Sequence, residues 1–387
     1  MITRKNINKL SGFKTPFYFY DIELLDKTLE ILKTESDRYN YQVHYALKAN
    51  YNPKILNKIS SYGFGADCVS GNEISRALEC GFGPENIVFA GVGKSDEEIC
   101  LALKNNIFSM NCESLEEMEV VNEIAAKEGL TAPVFIRINP DILVNTHKYI
   151  TTGTAENKFG IHLVHLENVL NQLHRLKNIE LKGIHFHIGS QIQDLTVFQL
   201  LCEKINELQE SFEKKGIVIE HINVGGGLGI DYIDPVANQI PDFAAFFKIF
   251  NQHLRLKNNQ QLHFELGRAV VGQCGTVVAK VLYVKPGIST SFAIVDAAMT
   301  DLLRPALYSA IHKIENLTTT ETDLVSYDVV GPVCESSDIF GKDILLKKTH
   351  RNDLLAIYSA GAYGQVMSSN YNLRKNAEVV YSDEIHD

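Results

Sequence analysis

The sequence predicts an α/β protein: a (β/α)8 barrel joined to a C-terminal, mostly β domain. Three observations predict it. Eight short β-rich runs alternate with helical segments over about 225 residues. Residues able to do chemistry fall near the C-terminal ends of those runs. After residue 270 the alternation stops, and Val-, Ile- and Tyr-rich runs separated by turn residues take over.

The eight runs are VHYALKA (43–49), GADCVS (65–70), NIVFAG (86–91), FSMNCES (108–114), VFIRINP (134–140), LKGIHFHIG (181–189), HINVGGG (221–227) and LHFELGR (262–268). Between them lie helical segments with readable ends. Ser70 is a candidate N-cap with Glu73 three residues on, and Gly81 stops that helix. Ser95 opens the same pattern, and the acid-rich segment after Cys112 ends at Gly129. A doubly wound sheet also alternates. The barrel is preferred because Lys48, Asp67, Arg137, His187, residues 225–227, Glu265 and Arg268 would then share one face. TPFYFYD (15–21) reads as a strand without a barrel partner and is assigned to the second domain. The expected division is a barrel over 25–270 and a β-rich domain of 271–387 with 1–24.

The 387 residues carry a net charge of −10, which disfavours nucleic acid or an anionic membrane as partner. The N-terminal stretch lacks an apolar h-region, and no run has the length of a membrane helix. Seven scattered cysteines form no CxxC pair, so neither a metal site nor a disulfide framework is expected. A reduced, cytoplasmic protein is the resulting expectation. Residues 141–157 are rich in Gly, Thr and Asn, a composition that allows a lid.

Lys48 stands at the end of the first run, where a lone lysine would ordinarily reach for water. At the mouth of a barrel it could instead form a Schiff base, either with a substrate or with pyridoxal phosphate (PLP). The second option needs a phosphate cradle, a carboxylate for the ring nitrogen and a group to pack on the ring. Residues 225–227, three consecutive glycines after a strand, let backbone approach a phosphate closely. Glu265 could keep a pyridine nitrogen protonated, His187 could stack on the ring, and Ser190 could donate to the phosphate. Each residue alone would more often be structural. Together they are the set one cofactor requires, on one face. The small Ala46 and Ala49 would leave room for a ring. Beyond residue 270, Cys334 and Glu335 follow a Gly-Pro break, Tyr363 sits among small residues, and Arg304 and Tyr308 lie on an expected loop as candidate clamps for a carboxylate.

The motifs YALKAN, GADCVSGNE, HKYITTGTAENKFGI, HFHIGSQI, NVGGGLGIDY, ELGR, DLLRPALY, GPVCESSDIF and GAYGQVMSSNYN span residues 45 to 372. In order and spacing the chain resembles the fold-type III PLP-dependent amino-acid decarboxylases. The resemblance implies a carboxy-lyase that converts meso-diaminopimelate to L-lysine and CO2. It implies that Lys48, Asp67, His187, Ser190, Gly226, Gly227, Glu265, Gly267, Arg268 and Tyr363 bind the cofactor. Arg268, Arg304, Tyr308, Glu335 and Tyr363 would bind substrate, Glu335 through its distal ammonium. Cys334, from a second copy in a homodimer with shared sites, would protonate the carbon that loses CO2. Two stretches depart from the family pattern: Ser337 stands where a glycine is usual, and KNAEV follows NYNLR in place of proline-rich sequence. The rival readings are a carboxynorspermidine, ornithine or arginine decarboxylase, a racemase of the same fold, and a non-catalytic PLP carrier.

Overall fold

The computed structural model describes residues 7, 9–142 and 158–385. Most of the stretch read as a possible lid, and most of the HKYITTGTAENKFGI motif, therefore lie outside the described residues. The chain divides into two compact units. One comprises residues 29–229 and 242–267, and the other comprises 1–28, 230–241 and 268–387.

The strands in chain order are β1 (Phe17–Tyr20), β2 (Gln42–Ala46), β3 (Gly65–Cys68), β4 (Ile87–Phe89), β5 (Ser109–Cys112), β6 (Ala132–Asn139), β7 (Ile161–His162), β8 (Ile179–His185), β9 (His221–Asn223), β10 (Gln261–Leu266), β11 (Gly275–Pro286), β12 (Ser291–Val295), β13 (Ile314–Asn316), β14 (Leu324–Val330), β15 (Ile339–Lys347), β16 (Leu354–Ile357) and β17 (Glu378–Tyr381). In the first unit β2, β3, β4, β5, β6, β8, β9 and β10 pair in that order, and β10 returns to β2. Every pairing is parallel. This is the closed eight-stranded barrel that the sequence predicts. The two-residue β7 adds to β6 outside the circuit, too short to leave a pattern in the sequence.

The helices begin and end where the caps say. The Ser70 side chain accepts from the Glu73 N–H, Ser95 and Glu98 form a reciprocal capping box, and Gly129 closes its helix at φ 69°. In the helix Phe243–His253, residues Phe243, Phe246, Phe247 and Phe250 fall at i, i+3, i+4 and i+7. Three of them meet Phe264 of β10 at ring-centroid distances of 4.9–5.5 Å, and Tyr41 joins the cluster at 5.2 Å from Phe264. β2 ends one residue after Tyr45, earlier than expected, and Leu47–Ala49 form a 3-10 turn. The Tyr45 hydroxyl donates to the Asn50 carbonyl, and the Asn50 side chain accepts from the Asn52 N–H, which bends the chain there.

In the second unit β11 is the organising strand. Its first part pairs with β1 and β16, and its second part with β12. β12 continues to β14 and β15, and β16 continues to β13. β1 is wholly buried and also pairs in parallel with β17. Phe17 and Phe19 pack with Leu10, Val278, Leu354 and Val380 in the core of this unit. Arg304–Tyr308, expected as loop, is a short helix with Pro305 in its first turn, the position where proline costs least.

Truncating Phe264 to Ala removes the ring at the centre of the aromatic cluster. Chemical denaturation is expected to show a loss of about 3–5 kcal/mol.

Candidate active site

Glu265, on β10, is buried beneath the C-terminal ends of the barrel strands. Its Oε1 accepts from Asn111 Nδ2 on β5 (3.1 Å) and from Asn223 Nδ2 on β9 (2.8 Å). Its Oε2 lies 3.0 Å from Nε2 of His185 on β8. Burial by itself would raise the pKa of this carboxyl. The charge and hydrogen bond of His185, followed by the charge of Lys48, outweigh burial and hold Glu265 well below the usual carboxylate range. The residue is a fixed anion.

Lys48 lies in the 3-10 turn after β2, its Nζ 3.5 Å from Oδ2 of Asp67 on β3. Asp67 is fully buried, and its Oδ1 has no hydrogen-bond partner among the described residues. Burial, then the charge of Glu265, pushes its pKa up to about 7 against the opposing pull of Lys48. The Lys48 amine thus stands beside a carboxyl that burial makes readier to hold a proton than an ordinary aspartate. Ala46 and Ala49 also lie against the end of β10. A Cβ on Gly267 would lie 3.1 and 3.0 Å from theirs, so the three residues allow β2 and the end of β10 to approach closely.

His187 follows β8, and its Nδ1 accepts from the Gly226 N–H at 3.2 Å, which places the ring proton on Nε2. Burial, then the charges of Lys48 and Arg137, depresses its pKa well below the ordinary value, so the ring is neutral. A Cβ on Gly226 would collide with the Glu265 carbonyl, and Gly227 has φ 109° with Gly189 O behind it, so neither position admits a side chain. The Gly225 N–H goes to Asn223 Oδ1 (2.9 Å) and the Gly226 N–H to His187. Among the described residues, the Gly227 amide alone of the three is left to meet an anion. Gly226 ties the loop to His187. Ser190, half-buried, follows on the same strand exit.

Arg137, which shares the strand-end position, is engaged in structure. It pairs with buried Glu113 at 2.6 Å and lies over Phe159, while Glu113 Oε2 accepts from the Gly160 N–H. Toward the N-terminal ends of the strands three buried or half-buried histidines use their ring nitrogens on one another. His44 meets the Asn86 carbonyl and His263, and His263 meets His221, each at 3.0 Å.

In the second unit Arg268 and Arg304 are both buried, each 6% exposed. They share Tyr232. Its ring lies 5.8 Å from the Arg268 guanidinium and 4.7 Å from that of Arg304, and its hydroxyl accepts from Arg268 Nη1 at 2.6 Å. Tyr363, at φ 56°, places its ring 4.9 Å from Arg268. Arg304 Nη1 donates to His312 Nε2 at 2.9 Å. Tyr308 is half-buried on the same short helix as Arg304. Sequence reasoning missed Tyr232 and His312, and in the barrel it missed Asn111, Asn223 and His185.

Cys334 and Glu335 are exposed at the tip of the loop after β14. Tyr371 donates its hydroxyl to Glu335 Oε1 (2.6 Å), and the Cys334 N–H reaches Asn372 Oδ1 (3.4 Å). The base of the loop is set by Asp338, whose buried carboxylate accepts from the N–H groups of Met299 (2.6 Å) and Val333 (2.7 Å). Ser337 is exposed, its hydroxyl 3.7 Å from the Met299 sulfur, and its backbone is not left-handed, so a side chain fits where the family usually has glycine.

Pyridoxal phosphate fits the barrel residues. An amine, a fixed anion, a neutral imidazole and a glycine loop that a Cβ would fill lie at the ends of β2, β10, β8 and β9. The family model described as "Pyridoxal-dependent decarboxylase, pyridoxal binding domain" matches residues 24–272. A diaminopimelate decarboxylase of Bacteroides thetaiotaomicron is 54% identical over 380 residues, covering 98% of each chain. One from Neisseria meningitidis is 41% identical and covers 96% of this chain and 89% of its own. The crystal structure of diaminopimelate decarboxylase from Helicobacter pylori complexed with L-lysine superposes with a TM-score of 0.90 at 38% identity, covering 97% of this chain and 93% of that one. The likeness covers nearly the whole chain, and the chain belongs to the diaminopimelate decarboxylase family of pyridoxal-dependent decarboxylases.

Proposed function

We propose that the protein removes CO2 from one amino-acid end of meso-diaminopimelate and releases L-lysine. The observation that carries the substrate is the buried Arg304 guanidinium, set against tyrosine and histidine with no carboxylate within ion-pair distance among the described residues. A buried cation is costly until an anion reaches it, and a substrate with a second carboxylate brings that anion. Ornithine, arginine and carboxynorspermidine present a different far end and would leave the Arg304 charge unmatched.

Pyridoxal phosphate, when bound, supplies the electron sink for the carbanion that loss of CO2 leaves. Lys48 would hold it through its amine, with Asp67 beside that amine able to take or return a proton. Glu265 would hold the ring nitrogen protonated, since an anion favours the charged form of its neighbour. His187 would pack on the ring as a neutral surface, and the Gly227 amide, Ser190, the backbone of residues 265–268 and Tyr363 would receive the phosphate. Arg268, Arg304 and Tyr308 would hold the retained carboxylate, keeping the departing one in a fixed orientation. Glu335 would meet the retained ammonium, and Cys334 would deliver a proton to the carbon that has lost CO2. A racemase would return the proton without releasing CO2.

We read the protein as a homodimer in which Cys334 and Glu335 serve the partner's barrel. Their exposure in the single chain supports this, because a proton donor works best where water is excluded. The seven cysteines are all unpaired, which supports a reducing, cytoplasmic setting. Among the described residues no helix is long and apolar enough to cross a membrane.

Three outcomes check this reading. Purified protein with pyridoxal phosphate is expected to release CO2 and lysine from meso-diaminopimelate and to turn over ornithine and arginine far more slowly. If ornithine or arginine is preferred, the substrate assignment falls. Glu265→Gln is expected to retain the cofactor absorbance and lose roughly a hundredfold or more in kcat. Lys48→Ala and Cys334→Ala are each expected to be nearly inactive, and mixing the two should restore activity through hybrid dimers. No recovery on mixing would argue against shared sites.

A further inference from the structure

We infer that His312 is a positioning residue for the Arg304 guanidinium, fixing the edge that Arg304 offers to the retained carboxylate of the substrate. The inference rests on the reading of Arg304 given under Proposed function and extends it to a residue that touches no ligand. Arg304 is buried, and among the described residues no carboxylate lies within ion-pair distance of it. Its Nη1 is engaged by His312 Nε2 at 2.9 Å, while its buried Nε has no hydrogen-bond partner among the described residues. An arginine held at Nη1 keeps its Nε side for a carboxylate, which can then bind with two parallel hydrogen bonds.

The tautomer of His312 follows from its other neighbour. Nδ1 lies 2.8 Å from the Tyr358 carbonyl, which can only accept, so Nδ1 carries the proton and Nε2 presents a lone pair to Arg304. Tyr232 packs edge-on against the imidazole, with ring centroids 5.1 Å apart at 79°, and so fixes the ring plane. Burial, then the charge of Arg304, lowers the His312 pKa to about 3, so the ring is neutral wherever the protein is folded and working.

The choice of side chain has a chemical reason. An aspartate or glutamate at this position would orient Arg304 equally well. It would also neutralise it, and the arriving carboxylate would compete with a resident one. A neutral acceptor orients the cation and leaves its charge for the ligand. Beside it, Arg268 Nη1 likewise donates to a side chain that is not a carboxylate, the Tyr232 hydroxyl.

L-lysine keeps the carboxylate-bearing end of the substrate, whereas cadaverine has lost both carboxylates. The affinities of the two for the holoenzyme therefore separate the clamp from the rest of the site. His312→Ala is expected to weaken L-lysine by roughly ten- to hundredfold, the worth of a hydrogen bond to a buried charge, and to leave cadaverine within about twofold. KM for meso-diaminopimelate should rise by more than kcat falls. His312→Gln, which can return an acceptor to Arg304, should recover most of the lysine affinity. His312→Asn, which can serve only the Tyr358 carbonyl, should not, and the Gln/Asn pair carries the test if the Ala variant fails to fold. Equal loss of both ligands, or equal behaviour of Gln and Asn, overturns the inference. Arg304→Ala separates the levels. If it abolishes lysine binding while His312→Ala leaves it intact, only the role of His312 falls. If Arg304→Ala itself leaves lysine binding intact, the underlying reading of Arg304 falls.

Discussion

A buried carboxylate governs the barrel. An ionised acid away from water costs several kcal/mol unless donors surround it. Glu265 is surrounded by Asn111, Asn223 and His185, which come from three other strands. The anion is thus affordable only in the closed barrel, and in one register. β10 meets β9 with His263 opposite Asn223, and a slip by one residue would turn Glu265 to the other face of the sheet. The charge that suits the site to a pyridine nitrogen is also a lock on how the strands align.

The second unit solves the opposite problem. Its interior Arg304 guanidinium is set against an aromatic ring and an imidazole, which stabilise a cation through a quadrupole and a lone pair without cancelling it. One unit holds an anion in place with amides and an imidazole, and the other holds cations with aromatic groups. In each, hydrogen-bonding side chains fix the direction of a buried charge.

The barrel is legible in the sequence because its strands are short, regularly spaced and bounded by caps and glycines whose physics is local. Lys48, His187 and Glu265 stand out because their residue types are unusual at strand ends. Asn111 and Asn223 do not stand out. An asparagine inside a short strand has no local signature, and Asn111 is 154 positions from the carboxylate it serves. His312 and Tyr232 are invisible for the same reason, since each matters through a partner distant in sequence. The Arg304 segment reads as loop because five residues are too few to show a helical period, and only Pro305 marks its start. That Ala46 and Ala49 face Gly267 is equally hidden, because Gly267 follows a strand that pairs with β2 only after more than two hundred intervening residues.

The loop between β14 and β15 is anchored from within by Asp338, while the residues at its tip face outward. Its shape is inherited from the base, so the tip can change by single substitutions without the loop being rebuilt. Ser337 is one such change already made. A loop built this way separates what holds its shape from what it presents, so its exposed positions lie where mutation threatens the fold least.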